Sequence, residues 1–472
     1  MKQLHGISFS FHHGRGVTVW SGLTRPILGA LAVLAGASLS LNLLAEEVQT
    51  ISIPAWLTQP MAMTDAVNLA LNQNGTILRG KSDLEASYGV VIQTKAVSKP
   101  TLKVSGNYQY SNETEQPPFP APVPEHNWTA TIQLVQSIYE GGRIQASLRS
   151  AKLTQEQAVL QYQTVIADAL LQVRIAYFDV LQAADQIEVN EASVKLLTQQ
   201  LDDQKRRYEA GTVPRFNVLQ AEVELSNQRP KLIQARNAHR IAKNNLVSLL
   251  GYRVPPTVWE DIPLNLTDHL DATPYSVELP VAIAKALENR TELATLRKEE
   301  SLRKEAVIAA RAGQKPSVQI FGGYGSRNSS FTTDPSREIN GASAGAQVSW
   351  NIFDGDLTKG KIAQARSLQT GAKVDLENQT RNIELEVRTD YSNFIEAREI
   401  LESQKKVQEQ AEEALRLATA RSDAGTGTQL DVLSAQTSLT QARSTQVKAL
   451  HDYDVARVRL ERAMGLVTWK KG

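Results

Sequence analysis

Charged residues flank two Gly-Thr dipeptides that lie in separate parts of the 472-residue chain. The triplet Lys205-Arg206-Arg207 precedes the first dipeptide, Gly211-Thr212, and Asp431 follows the second, Gly425-Thr426. If each dipeptide ends a helix, the triplet complements the negative helix C-terminus, and Asp431 complements the positive N-terminus of the next helix. The chemistry open to these groups is therefore electrostatic: helix termination and ion pairing.

No residues with the spacing of a catalytic site accompany these charges. The sequence has no glycine-rich phosphate loop, no nucleophile elbow and no His/Asp cluster with metal-ligand spacing. It contains no cysteine, which excludes disulfides, thiolate metal sites and a cysteine nucleophile. The balance of 51 basic against 50 acidic residues implies no nucleic-acid surface. We therefore predict no enzyme, no cofactor, no metal site and no nucleic-acid partner.

The elements that must position the charged groups are long helices. The segment from Ile144 to Ala210 has no proline or glycine and is rich in good helix formers. Its length of about 67 residues corresponds to a rod of roughly 100 Å. Gly211 supplies a C-terminal cap and Pro214 blocks continuation, so a returning helix is expected from Arg215 to Leu250. We expect Pro230 to kink or divide that returning helix.

The long hairpin occurs twice. Val173-Arg174-Ile175-Ala176-Tyr177 returns as Val387-Arg388-Thr389-Asp390-Tyr391, about 214 positions further on. Ala210-Gly211-Thr212 returns as Ala424-Gly425-Thr426 at the same offset. One unbroken offset over so many residues identifies a tandem duplication.

Each hairpin is preceded by a pair of segments in which the hydrophobic period changes from 3.6 to 2. Polar and apolar residues alternate in four segments of about ten residues, which follow Pro100, begin at Asn127, follow Pro316 and end at Trp350. In the first, the apolar face consists of Leu102, Val104, Gly106, Tyr108 and Tyr110. Such strands are typical of an outer-membrane barrel. The alternative is a soluble sandwich, but the sequence offers no further strands for a second sheet.

Four strands cannot close a barrel alone, because an open sheet in lipid leaves unpaired backbone groups at its edges. Several copies must therefore share one barrel, and three copies would supply twelve strands. The predicted fold class is mainly α with a membrane β-barrel portion: a tandem repeat of long helical hairpins with four strands per chain. Residues 1–45 contain basic residues followed by a short apolar run, which predicts a secretory signal peptide.

The order of these elements resembles the TolC family of outer-membrane channel-tunnels over about Pro60 to Gly465. The most specific segments are Arg207-Tyr208-Glu209-Ala210-Gly211-Thr212, Asn217-Val218-Leu219-Gln220-Ala221, Gly425-Thr426 and Leu430-Asp431-Val432-Leu433-Ser434-Ala435-Gln436. The resemblance implies a homotrimer in outer-membrane lipid, in which a trimeric twelve-stranded barrel continues into an α-helical tunnel in the periplasm. It also implies two partners, a periplasmic adaptor and an inner-membrane pump of the RND or ABC type.

Patterns and resemblance together predict eight segments. These are a signal peptide (1–45), N-terminal periplasmic helices (46–98), the first strand pair (99–139), the first long hairpin (140–251), a linker with equatorial helices (252–314), the second strand pair (315–353), the second long hairpin (354–465) and a short tail (466–472).

The resemblance also assigns roles around the turns. Asp431 matches the first acidic residue of a selectivity ring at the periplasmic entrance, whereas the second ring position is Ser434 here. The alternative for Asp431 is a solvated acid at a helix start. In the family, a Tyr, an Arg and an Asp form a latch that holds the tip closed. This chain has Ser422, Gly427 and Asn217 at those positions, so the latch is not present in the same form. A substitute is pairing of Arg206, Arg207 or Arg215 with Asp423 or Asp431. The turn residues expected to meet the adaptor are Gly211, Thr212, Pro214, Gly425, Thr426 and Gly427.

The favoured function is an outer-membrane exit duct for small-molecule efflux. Type I protein secretion remains open, because both processes use the same duct. A different class, a periplasmic coiled-coil scaffold, leaves the alternating strands unexplained, and a simple nutrient porin needs more strands per chain.

Overall fold

A computed structural model describes residues 55–111, 125–253, 262–328 and 336–466. The predicted signal peptide and residues 467–472 of the predicted tail lie outside the described residues. In chain order, the helices and strands are α1 (Ala55–Thr58), β1 (Pro60–Met61), α2 (Met63–Gln73), α3 (Gly75–Ala96), β2 (Thr101–Tyr110), β3 (His126–Glu140), α4 (Arg143–Glu209), α5 (Arg215–Leu249), β4 (Asn265–Leu266), α6 (Leu279–Asn289), α7 (Thr291–Arg311), β5 (Ser317–Asn328), β6 (Glu338–Ser349), α8 (Leu357–Asp423) and α9 (Gln429–Ala463).

The duplication appears in the helix bounds. Helices α4 and α8 both contain 67 residues, and α5 and α9 both contain 35. The two long helices pair with their returning partners, α4 with α5 and α8 with α9. The predicted fold class, mainly α with two long hairpins and four strands, is confirmed.

Helix α5 runs without interruption through Pro230, so this residue does not divide the helix, and a kink at this position stays a prediction. Proline lacks the N–H that would bond to the carbonyl four residues earlier, and this loss disfavours a helix interior. Here α5 is packed along α4 on both sides of Pro230, through buried Ala221, Leu225, Leu246 and Val247. Tertiary packing of this apolar face therefore outweighs one missing backbone hydrogen bond.

The long helices α4 and α8 run through two successive layers of helices. Near the strands, α3, α4, α7 and α8 lie side by side in that order. Towards the Gly-Thr turns, α5 and α9 replace α3 and α7, and the order is α5, α4, α9, α8. Small alanine side chains make up much of the buried stripe of α4, which favours close approach of the neighbouring helices.

Two apolar clusters, one in each repeat, lie where α5 and α9 replace α3 and α7 beside the long helices. The first contains Val173, Tyr177, Leu246 and Leu250. The second contains Val387, Leu460 and Met464, which are the repeat counterparts of Val173, Leu246 and Leu250, together with Phe394. Full burial of each such side chain contributes about 1.5–3 kcal/mol. The linker is attached here, because Asp268 accepts hydrogen bonds from the Tyr177 hydroxyl and from the Met63 N–H. A short parallel pairing of β1 with β4, not predicted from the sequence, completes this region.

The four long strands form one antiparallel sheet in the order β2-β3-β5-β6. Strand β3 is longer than the sequence pattern predicts: it continues to Glu140 through an irregularity between Ser137 and Tyr139. No apolar side chain of these four strands is buried in the described part of the chain. Within the described ranges, none of the helices combines the length and apolar composition that a membrane-spanning helix requires.

Candidate functional site

The two tips of the hairpins have the same turn geometry. Gly211 and Gly425 adopt φ values of 73° and 72°, a left-handed conformation that glycine tolerates best. The Thr212 N–H donates to the Arg207 carbonyl at 2.9 Å, and the Thr426 N–H donates to the Arg421 carbonyl at 2.9 Å. This is the Schellman arrangement, which satisfies the last carbonyl groups of a helix. The turns therefore present rigid, solvent-exposed ends.

Gly427 differs from the other turn glycines because its backbone is crowded. A Cβ at this position would lie 3.1 Å from the Arg421 Cβ and from the Ser422 nitrogen. A side chain is thus disfavoured by close approach to the end of α8.

Asp431 closes a capping box at the start of α9. Its carboxylate accepts hydrogen bonds from the Thr428 N–H at 2.9 Å and from the Thr428 hydroxyl at 2.8 Å. The Thr428 hydroxyl oxygen accepts from the Asp431 N–H in return. The N–H and hydroxyl of Thr428 hold the pKa of the Asp431 carboxyl below its ordinary value. Asp431 is therefore a helix-start acid that also carries a full negative charge at the exposed tip.

The first hairpin has no such box. Its returning helix α5 begins after Pro214, which has no side-chain cap, and Asn217 occupies the position equivalent to Asp431. The two turns thus have the same backbone geometry but different charge, and the negative charge lies at the second turn.

One ion pair joins the two hairpins at the tip. The Arg207 Nη2 atom of α4 lies 3.3 Å from the Asp423 Oδ1 atom of α8. Arg207 also binds Asp203 of its own helix at 2.8 Å, whereas Arg206 pairs with Asp203 alone, at 3.6 Å. Within the described ranges, no ion pair joins Arg215 to an acidic side chain of the other hairpin.

Below this pair, the surface between α4 and α9 is largely polar. Three cross-hairpin contacts follow one another along it: Gln204 to Gln429 at 3.1 Å, Ser193 to Thr440 at 3.2 Å, and Gln186 to Ser444 at 2.8 Å. A small apolar cluster of Leu197, Leu201 and Leu433 interrupts the row. Near the tip the hairpins therefore meet through both hydrogen bonds and apolar contacts, whereas the larger apolar clusters lie closer to the strands.

Cross-strand pairing divides the sheet into two chemically different faces. Side chains that pair directly lie on one face, so Leu102 with Leu134, Val104 with Ile132, and Tyr108 with Trp128 form an apolar face. The opposite face contains mainly serine, threonine, asparagine, glutamine and glycine. Among the described residues, strands β2 and β6 have no partner on their outer sides.

The groups at the tip can pair, cap helices and attract ions. The described residues contain no group of three His, Cys, Asp or Glu side chains that could hold a metal ion. The sequence identified the turn residues and Asp431. Its candidate pairings of Arg206, Arg207 or Arg215 with Asp423 or Asp431 included the observed Arg207–Asp423 contact. It missed the polar row between α4 and α9 and the two cations on the polar face of the sheet, Lys103 and Arg327. The position of these two cations in the alternation of polar and apolar residues along the strands was the signal that could have identified them.

Comparison with known proteins relates this architecture to characterised chains. The model of the family described as outer membrane efflux protein matches residues 66–252 and 282–466. The chain is 24% identical over 420 residues to the outer membrane protein TolC of Escherichia coli K12, and the alignment covers 87% of this chain and 83% of TolC. It is 26% identical over 409 residues to the cobalt-zinc-cadmium resistance protein CzcC of Cupriavidus metallidurans, covering 86% and 90% of the two chains.

The crystal structure of the outer membrane protein VceC from Vibrio cholerae has the same fold. The TM-score is 0.69 at 18% sequence identity, and the aligned part covers 85% of this chain and 96% of VceC. Two repeats matched to one family, together with the duplicated hairpins and the four-stranded sheet, lead to one conclusion. The chain belongs to the outer membrane efflux protein family, whose members are outer-membrane exit channels of export systems.

Proposed function

We propose that three copies of this chain form a passive exit duct for small-molecule efflux, which an inner-membrane pump of the RND or ABC type feeds through a periplasmic adaptor. The open edges of the sheet are the observation that carries the trimer. Strands β2 and β6 run antiparallel to each other because the sheet contains four alternating strands. Strand β6 of one copy can therefore extend the sheet through β2 of the next, and three copies give twelve strands, an even number typical of outer-membrane barrels.

The helical layers have matching open edges. In the strand-proximal half these edges are α3 and α8, and in the tip half they are α5 and α8. Both sides expose large apolar residues, including Ile92 and Ile233 on one side and Leu385 on the other. Apolar surface of this kind is normally covered by a partner, and a neighbouring copy covers both edges at once.

The Arg207–Asp423 pair is proposed as a latch that holds the tip closed. Both side chains are substantially exposed, 40% and 62%, so each pair contributes only about 0.5 kcal/mol. Three pairs in a trimer would shift the closed–open equilibrium by roughly tenfold, because about 1.4 kcal/mol corresponds to a factor of ten. This effect is large enough to measure in single channels.

The test is single-channel recording in planar bilayers, with the oligomer mass measured in parallel. Arg207→Ala and Asp423→Ala should each raise the open probability, and the double variant should be no more open than either single variant. Arg206→Ala is the matched control, since Arg206 pairs within its own helix. A trimer whose open probability is the same with and without Arg207 would disprove the latch, and a monomer that never conducts would disprove the duct.

Asp431 is proposed as the entrance charge of the trimer, where a ring of carboxylates favours cations. Asp431→Asn should reduce cation selectivity in the bilayer. Thr428→Ala is the matched control because it removes the capping hydroxyl and retains the charge. Equal loss of selectivity in both variants would mean that Asp431 acts only by capping α9.

The exposed turns are proposed as the adaptor surface, and small solutes as the cargo. The name of the relative CzcC, a cobalt-zinc-cadmium resistance protein, supports small-solute export. Deleting the gene in the source bacterium should raise sensitivity to small toxic compounds. Loss of a secreted protein with unchanged sensitivity would favour the type I secretion alternative.

A further inference from the structure

The polar face of the four-stranded sheet carries positive charge. Two basic residues lie on it, Lys103 in β2 and Arg327 in β5. The one acidic residue on this face is Glu140, at the helical end of β3, and it is bound by the Arg143 side chain at 2.6 Å. The remaining acidic residue of the four strands, Glu338, pairs with Asn328 and so lies on the opposite face.

Neutral residues surround both cations. Lys103 pairs with Gln133, whose other cross-strand partner is Gly323. Arg327 pairs with Thr129 and with Ile339. In the described part of the chain, no carboxylate oxygen lies within 4.0 Å of either side chain, and both residues are exposed. Among the described residues, therefore, no local ion pair cancels their charge.

The positive surface continues at the helical end of the sheet. An open cavity of about 320 Å³ lies there, lined by Arg143, Lys315 and Lys361, with Ser317 and Ser349 from the ends of β5 and β6. Glu140 is the single carboxylate in its lining, and Arg143 neutralises that carboxylate. The polar face and the cavity thus form one region with excess positive charge.

The chemistry of the other face determines which side of the sheet meets lipid. The opposite face carries Leu102, Val104 and Tyr108, all strongly exposed in the single chain. In outer-membrane barrels the outward face is an apolar band, whereas the interior is polar. The polar face must therefore line the water-filled lumen once copies of the chain close the barrel.

We infer that the outer-membrane part of the duct attracts anionic solutes, so that its charge preference is opposite to that of the proposed Asp431 ring at the periplasmic entrance. This inference rests on the proposed trimeric duct, in which each chain adds Lys103 and Arg327 to the lumen. In a wide lumen the charges act over about one Debye length, which is about 10 Å at 0.1 M salt and about 30 Å at 0.01 M. Anion preference therefore weakens as the salt concentration rises.

Reversal potentials in planar bilayers, measured under a KCl gradient at low salt, test the inference. Replacing both cations, Lys103→Gln with Arg327→Gln, should lower the chloride-to-potassium permeability ratio by at least about twofold. The charge-conserving pair Lys103→Arg with Arg327→Lys should leave the ratio unchanged. Gln133→Lys, which adds a cation beside Lys103 on the same face, should raise it. An unchanged ratio in the double glutamine variant would overturn the inference.

Single cysteines test the assignment of the faces, because the chain has no cysteine of its own. Ser105→Cys lies on the polar face and Val104→Cys on the apolar face. A water-soluble anionic methanethiosulfonate should react with the cysteine at 105 and lower the anion preference, but should not react with the one at 104. Reaction at 104 alone would overturn the lumenal assignment. Absence of trimers and conductance would refute the proposed duct, whereas normal conductance without the expected shifts would refute only the charge preference.

Discussion

Asp454 is a buried carboxylate in α9 whose environment opposes ionisation. It is 1% exposed, and its Oδ1 atom has no hydrogen-bond partner in the described part of the chain. Burial raises the pKa of Asp454 to about 6, although Arg457 and a backbone N–H of Asp271 oppose the rise. The folded state therefore binds a proton more tightly than the unfolded state, and stability falls as the pH rises from about 4 to about 6.

Asp454→Asn should remove this pH-dependent cost. We expect a higher Tm than wild type at pH 7.5 and no such gain at pH 4, measured by thermal unfolding in detergent. The gain is at most about 3 kcal/mol, since one pKa unit corresponds to roughly 1.4 kcal/mol. The exposed Asp202→Asn is the control, and an equal gain at both pH values would contradict the explanation.

Asp431 shows how one side chain can serve both a local and a collective role. Its pKa is lowered by the Thr428 N–H and hydroxyl, so its capping contribution is present above about pH 4 and is lost as the pH falls through the depressed folded value. The negative charge at the tip disappears over the same interval. Channel selectivity measured from pH 7 down to pH 3 should therefore remain constant until below about pH 4.

Among the strands, two adjacent glycines have opposite requirements. A Cβ on Gly323 would lie 2.5 Å from the Ile132 carbonyl oxygen, whereas a Cβ on Gly322 would meet nothing within 4 Å. Gly323→Ala should therefore disturb the pairing of β3 with β5 and reduce trimer yield, and Gly322→Ala should not. Folded trimers can be scored by resistance to unfolding in mild detergent. Equal yields for the two variants would show that the strands adjust without cost.

In the helices, Pro230 interrupts the hydrogen bonds of α5 while its ring remains exposed. Pro230→Ala restores a backbone N–H and removes no buried contact. We expect stabilisation of up to about 3 kcal/mol, the usual cost of proline in a helix interior. Lys231→Ala is the matched exposed control. A destabilised Pro230→Ala variant in thermal unfolding would mean that the interface needs the proline-induced shape.

For the whole molecule, the contact between the two hairpins near the tip includes polar side chains. Gln436 lies in this contact, is 2% exposed, and has two side-chain polar atoms without a hydrogen-bond partner in the described part of the chain. An unsatisfied buried amide costs about 1–3 kcal/mol. Replacing it with an apolar side chain of similar size should therefore tighten the contact between α4 and α9.

Gln436→Leu should raise the thermal stability of the trimer and lower its open probability in bilayers. The exposed Gln441→Leu in the same helix is the control. If Gln436→Leu stabilised the protein without reducing opening, the hairpins would not separate at this contact during gating.

The sequence by itself determined the two long rods, the capped Gly-Thr turns, the four alternating strands and the duplication. These features depend on local rules, because helix propensity, turn chemistry and strand alternation act over a few residues. The fold class and the turn residues were therefore predictable, and the capping box at Thr428 and Asp431 also has a local signature.

Only the tertiary structure decided which distant groups meet. Arg207 contacts Asp423 across the two hairpins, and neither Arg206 nor Arg215 does so among the described residues, because helix rotation orients each side chain. The strand order β2-β3-β5-β6 joins the two repeats in one sheet and assigns Lys103 and Arg327 to the same face. Packing against α4 also keeps α5 continuous at Pro230. These outcomes depend on contacts between residues far apart in the chain, which local patterns do not encode.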